Sequence, residues 1–98
     1  MKKVYFTITG MNYYFGNGFL KRGDKVKLIK EPDNRYDKEA IRVEFKGIGK
    51  CGYVANSTET VLGQCHSAGR MYDKFKKKAE GKVIVVTNRG AICKLKTE

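Results

Sequence analysis

The run E-P-D-N-R-Y-D-K-E-A-I at residues 31–41 holds the side chains best suited to chemistry. Pro32, Asp33 and Asn34 specify a tight turn, because proline presets φ and Asx side chains satisfy nearby backbone amides. A turn does not require Tyr36 followed by Asp37. That pair sets an aromatic platform beside a hydrogen-bond acceptor, just before the alternating segment Ile41-Arg42-Val43-Glu44-Phe45. Such a pair suits a small flat group that carries a hydroxyl.

Other constellations are weaker. Cys65 and His66 are adjacent on a predicted helix, where successive side chains diverge by about 100°, so they form no nucleophile–base dyad. Cys65 reads as a core residue and His66 as a surface one. Cys51, Cys65, His66 and Cys93 lack the paired spacing of a zinc site. Asp33 and Asp37 read as turn-capping groups rather than an acid–base pair. A small nuclease or metal hydrolase is thus disfavoured, no cofactor is expected, and binding is the remaining class.

The elements that must position the turn follow from pattern. Residues 3–9 read as a strand, then a long Gly-rich connection at 10–24 carries Tyr13, Tyr14, Phe15 and Phe19. Lys25 to Lys30 alternates Val26 and Leu28 with lysines, giving a strand with one buried and one basic face. Strands are expected at 40–46 and 50–55, joined at Gly47-Ile48-Gly49. Asn56 with Glu59 three residues on suggests a capped helix. Val61, Leu62, Cys65 and Ala68 share a face of that helix, and Gly69 ends it. A short strand near Phe75–Ala79, a bend at Gly81, a strand over 82–87, a turn at Asn88-Arg89-Gly90 and a last strand over 91–96 complete the chain. Mainly β, with one helix after the fourth strand, this order implies a small barrel or half-open sandwich.

The 98 residues fit a single domain, 1–98. No apolar run approaches a membrane span and no signal-peptide core follows Met1-Lys2-Lys3. Three unpaired-looking cysteines suit a reducing compartment, so a cytoplasmic protein with no membrane partner is expected. Net charge is +11, distributed as +6 over residues 1–30, zero over 31–70 and +5 over 71–98. A balance this basic favours a polyanion, nucleic acid first. Single strands are held by stacked aromatics and by cations that follow the backbone. The candidate platforms are Tyr13, Tyr14, Phe15, Phe19, Tyr36 and Tyr53, with Phe15, Phe19 and Phe45 drawn toward the core and Tyr13 and Tyr36 exposed. The candidate phosphate partners are Lys21, Arg22, Lys25, Lys27 and Arg35. DNA, RNA and a nucleotide-like small molecule all remain open at this level.

The chain also resembles the HIRAN domain family. The resemblance rests on a strand ending Thr9-Gly10, on Tyr13-Tyr14 and Gly16, on Gly23-Asp24 before an alternating strand, on E-P-D-N-R-Y-D-K-E-A-I-R-V, and on Gly52-Tyr53-Val54. It implies an OB-like small β-barrel. It also implies a non-enzymatic module that captures the 3′-hydroxyl end of single-stranded DNA in repair or replication-fork processing, with a helicase or nuclease acting in trans. The pocket residues carried over are Tyr13, Asn34, Tyr36 and Asp37. Asp37 would accept a hydrogen bond from the 3′-hydroxyl and repel a 3′-phosphate. The alternative expectation is a protein-interaction or scaffold module with a vestigial nucleotide pocket, in which the aromatic loop binds a peptide.

Overall fold

The computed structural model describes residues 3–11 and 18–96. Six strands close into an antiparallel barrel: β1 (Tyr5–Thr9), β2 (Lys25–Lys30), β3 (Ile41–Phe45), β4 (Gly49–Val54), β5 (Lys78–Thr87) and β6 (Gly90–Lys96). Around the barrel the order is β1-β4-β3-β2-β5-β6, with β6 returning to β1. The expected OB-like small barrel, mainly β with its helix after the fourth strand, is the architecture found. The helix itself, α1 (Ala68–Met71), is one turn long and runs on into a 3₁₀ turn, Tyr72–Lys74.

Alternation explains the barrel. Phe6 and Ile8 of β1, Val26 and Leu28 of β2, Ile41 and Val43 of β3, Cys51 of β4, Val83 of β5 and Cys93 of β6 are all buried in one core. Phe19 and Phe45, expected in the core, are half-buried at its rim and meet edge-to-face with centroids 5.4 Å apart. Phe15 lies outside the described residues.

Three expectations need correction. The capped helix over 57–68 does not form. Ser57 to Thr60 makes a single turn, Gly63 adopts φ +56°, and the chain then lies along the outer side of β1. There the Leu62 amide donates to the buried Thr7 hydroxyl (3.1 Å) and the His66 amide donates to the Tyr5 carbonyl (2.7 Å). Thr58, Thr60 and Val61 are β-branched and resist a helix, and covering β1 satisfies the Thr7 hydroxyl, which a free-standing helix could not reach. The helix starts instead at Ser67, whose hydroxyl accepts from the Arg70 amide. Second, His66 is half-buried rather than superficial, because it pairs with Phe6 along β1. Third, Gly81 does not bend the chain. It lies inside one ten-residue strand, β5, and is small because a Cβ there would stand 2.6 Å from Phe6 Cζ. The irregularity in β5 falls between Val83 and Val85.

Candidate nucleic-acid interface

The β2–β3 connection is a built structure rather than a slack loop. The Asn34 amide donates to the Glu31 carbonyl (3.0 Å), closing a turn around Pro32 and Asp33. The Asn34 side-chain oxygen then accepts from the amides of Tyr36 (2.9 Å) and Asp37 (3.1 Å). Asp37 Oδ1 accepts from the Glu39 amide (2.9 Å). The Glu31 amide donates to the Ala40 carbonyl (2.9 Å) and shuts the mouth of the loop. These bonds hold the Tyr36 side chain in solvent, 93% exposed.

Two residues outside the loop fix it further. Asn56 donates from Nδ2 to Asp37 Oδ2 (2.9 Å) and accepts on Oδ1 from the Gly69 amide at the start of α1 (2.8 Å). Glu31 is the hub beneath the turn. Its Oε1 accepts from Asn34 Nδ2 and from the Tyr53 hydroxyl (both 2.9 Å), and its Oε2 pairs with the Arg42 guanidinium (3.2 Å). Lys50 Nζ donates to the Tyr53 hydroxyl (3.1 Å). Burial works to raise the Glu31 carboxyl, but the bonds from Asn34 and Tyr53 and the charges of Lys50 and Arg42 hold it below its usual value. Burial pushes the Tyr53 phenol up; the adjacent Glu31 carboxylate adds to the rise, and Lys50 opposes it.

Asn34, Tyr36, Asp37 and Tyr53 share one open cleft of about 550 Å³, completed by Ala40, Val54, Asn56, Ser57 and Thr60. Each carboxylate oxygen of Asp37 carries one protein donor, so each has capacity for another. An exposed ring, a half-buried carboxylate and amide groups on a rigid turn can seat a planar group and accept from its hydroxyl. Among the described residues, no group of three His, Cys, Asp or Glu is placed to hold a metal ion.

Other sequence-predicted residues lie elsewhere. Arg35 is exposed on the same turn and does not line the cleft. Lys25 is five residues from Lys30, the end of β2 nearest the turn, which is ~17 Å of strand. Lys21 and Arg22 lie in the turn that precedes Lys25, where the Lys21 amide donates to Asp24 (2.9 Å). Lys27 lines a different cleft. Tyr13 and Tyr14 lie outside the described residues. Sequence reasoning passed over Glu31, Lys50 and Asn56 as site residues. Glu31 and Asn34 at the first and fourth positions of the turn were the available signal for the first; nothing local marked Asn56, which resembles a helix cap.

A small antiparallel barrel with an aromatic-and-carboxylate cleft beside one strand end defines a ligand-binding module. The HIRAN domain family model matches residues 1–97, and the chain belongs to that family, one of nucleic-acid-binding domains. Among solved structures it is similar to the HIRAN domain of human HLTF, with TM-score 0.62 and 23% identity over 95% of this chain and 74% of that one. It is also similar to a protein from Lactobacillus plantarum, with TM-score 0.59 and 23% identity over 98% of each chain. No curated protein matches the chain. None of the helices among the described residues is long and apolar enough to cross a membrane.

Proposed function

We propose that this chain is a non-enzymatic module that binds single-stranded DNA and seats the 3′-hydroxyl end in the Tyr36–Asp37 cleft. The observation that carries this reading is the convergence of Tyr36, Asp37, Asn34 and Tyr53 on one cleft. Tyr36 stacks on the terminal base or sugar. Asp37, with acceptor capacity to spare, takes the hydrogen bond of the terminal hydroxyl. A phosphate at the same position would bring a second negative charge against the carboxylate. Membership of a nucleic-acid-binding family and a net charge of +11 support the polyanion. Any strand cleavage or unwinding in repair or fork processing would come from a helicase or nuclease in trans.

Fluorescence anisotropy with DNA and RNA oligonucleotides ending in 3′-hydroxyl or 3′-phosphate tests the reading. The hydroxyl end of DNA should bind more tightly, and Tyr36→Ala should weaken binding by about 1–3 kcal/mol, the range for one stacked base. Asp37→Asn should erase the preference between ends while the melting curve shows a folded protein. Equal affinity of the native protein for the two DNA ends would overturn end recognition.

A further inference from the structure

A second cleft, of about 900 Å³, opens on the outer face of the barrel, lined among others by Ile29, Phe75, Lys74, Lys78 and Leu95. Its position relative to the first follows from strand register. Tyr53 is paired with Arg42, Arg42 with Ile29, and Ile29 with Lys78. Directly paired residues project to the same side of a sheet, so these four side chains form one outward row across β4, β3, β2 and β5. Tyr53 belongs to the Tyr36–Asp37 cleft, and Ile29 and Lys78 belong to the second. Three inter-strand spacings of about 4.8 Å put the row's ends ~14 Å apart.

The second cleft has the composition that single strands favour, an apolar floor with cations at the edge. Phe75 is half-buried and held in place: Lys30 Nζ donates to its carbonyl (2.6 Å) and stands 4.2 and 4.9 Å from the ring centroids of Tyr72 and Phe75. Around it the segment Lys74-Phe75-Lys76-Lys77-Lys78 carries four exposed lysines. Charge on the far wall is balanced. Glu44, Lys27, Glu80 and Lys96 alternate across the next row, with Glu44 paired to Arg42 and Glu80 to Lys96. Lys74 and Lys78 are in no salt bridge among the described residues. The uncompensated charge therefore lies on the Phe75 side. It continues past Lys74 into a smaller pocket of about 420 Å³ with Arg70 and Lys3, which no carboxylate lines.

We infer that a nucleic-acid strand whose end occupies the Tyr36–Asp37 cleft crosses the Tyr53–Arg42–Ile29–Lys78 row and lays its next nucleotides in the Phe75 cleft, with its phosphates on the lysines of 74–78. This rests on the nucleic-acid reading above and adds a second, end-independent site. The end cleft reads terminal chemistry; the Phe75 cleft sets affinity and its dependence on length.

The test compares the native protein with K74E/K76E/K78E, three exposed positions whose reversal leaves the core untouched, and with Phe75→Leu, which keeps apolar bulk but removes the ring. Oligothymidylates of about four and about twelve nucleotides cover the span small barrels hold. The native protein should gain at least about tenfold in affinity with length. The triple variant should lose that gain, its log–log salt slope should fall by about 2 at roughly 0.7 per phosphate contact, and its preference for a 3′-hydroxyl on the short oligomer should persist. Phe75→Leu should lose part of the gain with its salt slope unchanged. A triple variant that keeps the full gain overturns the second site and leaves end recognition standing. A native protein that binds neither oligomer overturns the nucleic-acid reading and this inference with it. Inorganic polyphosphate binding as tightly as the longer oligomer, with Phe75→Leu silent, overturns the strand in favour of a plain anion surface.

Discussion

Replacing Glu31 by Gln tests whether the turn is held from beneath. The carboxylate receives Asn34 and Tyr53 on one oxygen and Arg42 on the other. A glutamine can turn its single oxygen toward Asn34 and Tyr53, but its NH₂ then faces the Arg42 guanidinium, donor against donor. One charge-assisted bond is lost and two others lose their charge. Such bonds contribute roughly 1.5–3 kcal/mol each when well shielded. With the Arg42 and Glu31 side chains 31% and 16% exposed, solvent screens the pair, and the expected total is about 1.5 kcal/mol. In urea, with a slope near the low end of roughly 1–3 kcal/mol per M, the unfolding midpoint should fall by about 1 M. Acid gives a second readout. The folded carboxyl is depressed below its unfolded value of 4.5, so its contribution is complete above 4.5 and disappears as pH falls through the depressed value. The gap between native and Glu31→Gln proteins should be full at neutral pH and close in acid. A midpoint shift under about 0.2 M at neutral pH, or a gap that acid leaves unchanged, would refute the reasoning.

Asn56→Ala leaves Asp37 Oδ2 and the Gly69 amide each short of a partner. It should cost about 1–2 kcal/mol in thermal unfolding and speed hydrogen exchange at Gly69 relative to the barrel strands. Gly81→Ala places a Cβ 2.6 Å from Phe6 Cζ and should cost about 1–3 kcal/mol; adding Phe6→Leu should cost less in that background than in the native one. Burial pushes the Cys51 thiol up to about 11 and the Cys93 thiol up to about 12. Both should resist an aromatic disulfide reagent in the folded protein at about pH 8 and react once guanidinium unfolds it.

The strands were legible because one-sided burial writes period-two alternation into Lys25–Lys30 and Ile41–Phe45. The turn was legible because Pro32, Asp33 and Asn34 have few other uses in such a pattern, and the exposure expected of Tyr36 follows from its place on that turn. The segment 57–67 misled because its apolar residues do recur at helical spacing. The acceptor that holds the Leu62 amide, the Thr7 hydroxyl, is on β1 and fifty-five residues away, beyond any local pattern. Gly81 misled for the same reason: whether a glycine bends a strand or admits a ring depends on Phe6, on another strand. The lysines of β2 were correctly placed on a wet face, but which cleft each reaches depends on register, which sets Lys27 opposite Glu44 and Glu80 rather than beside the turn.

Closure of the barrel has a consequence for how the molecule meets others. Every strand is hydrogen-bonded on both sides, β6 back to β1 included. Among the described residues, closure leaves little free edge to recruit an extended peptide as an extra strand or to template edge-to-edge aggregation. Recognition is left to side chains on the outer wall and at the rim. Such a barrel favours recognition by shape and charge over backbone pairing, and the stiff turn keeps Tyr36 fully wet without drawing it into a strand ladder.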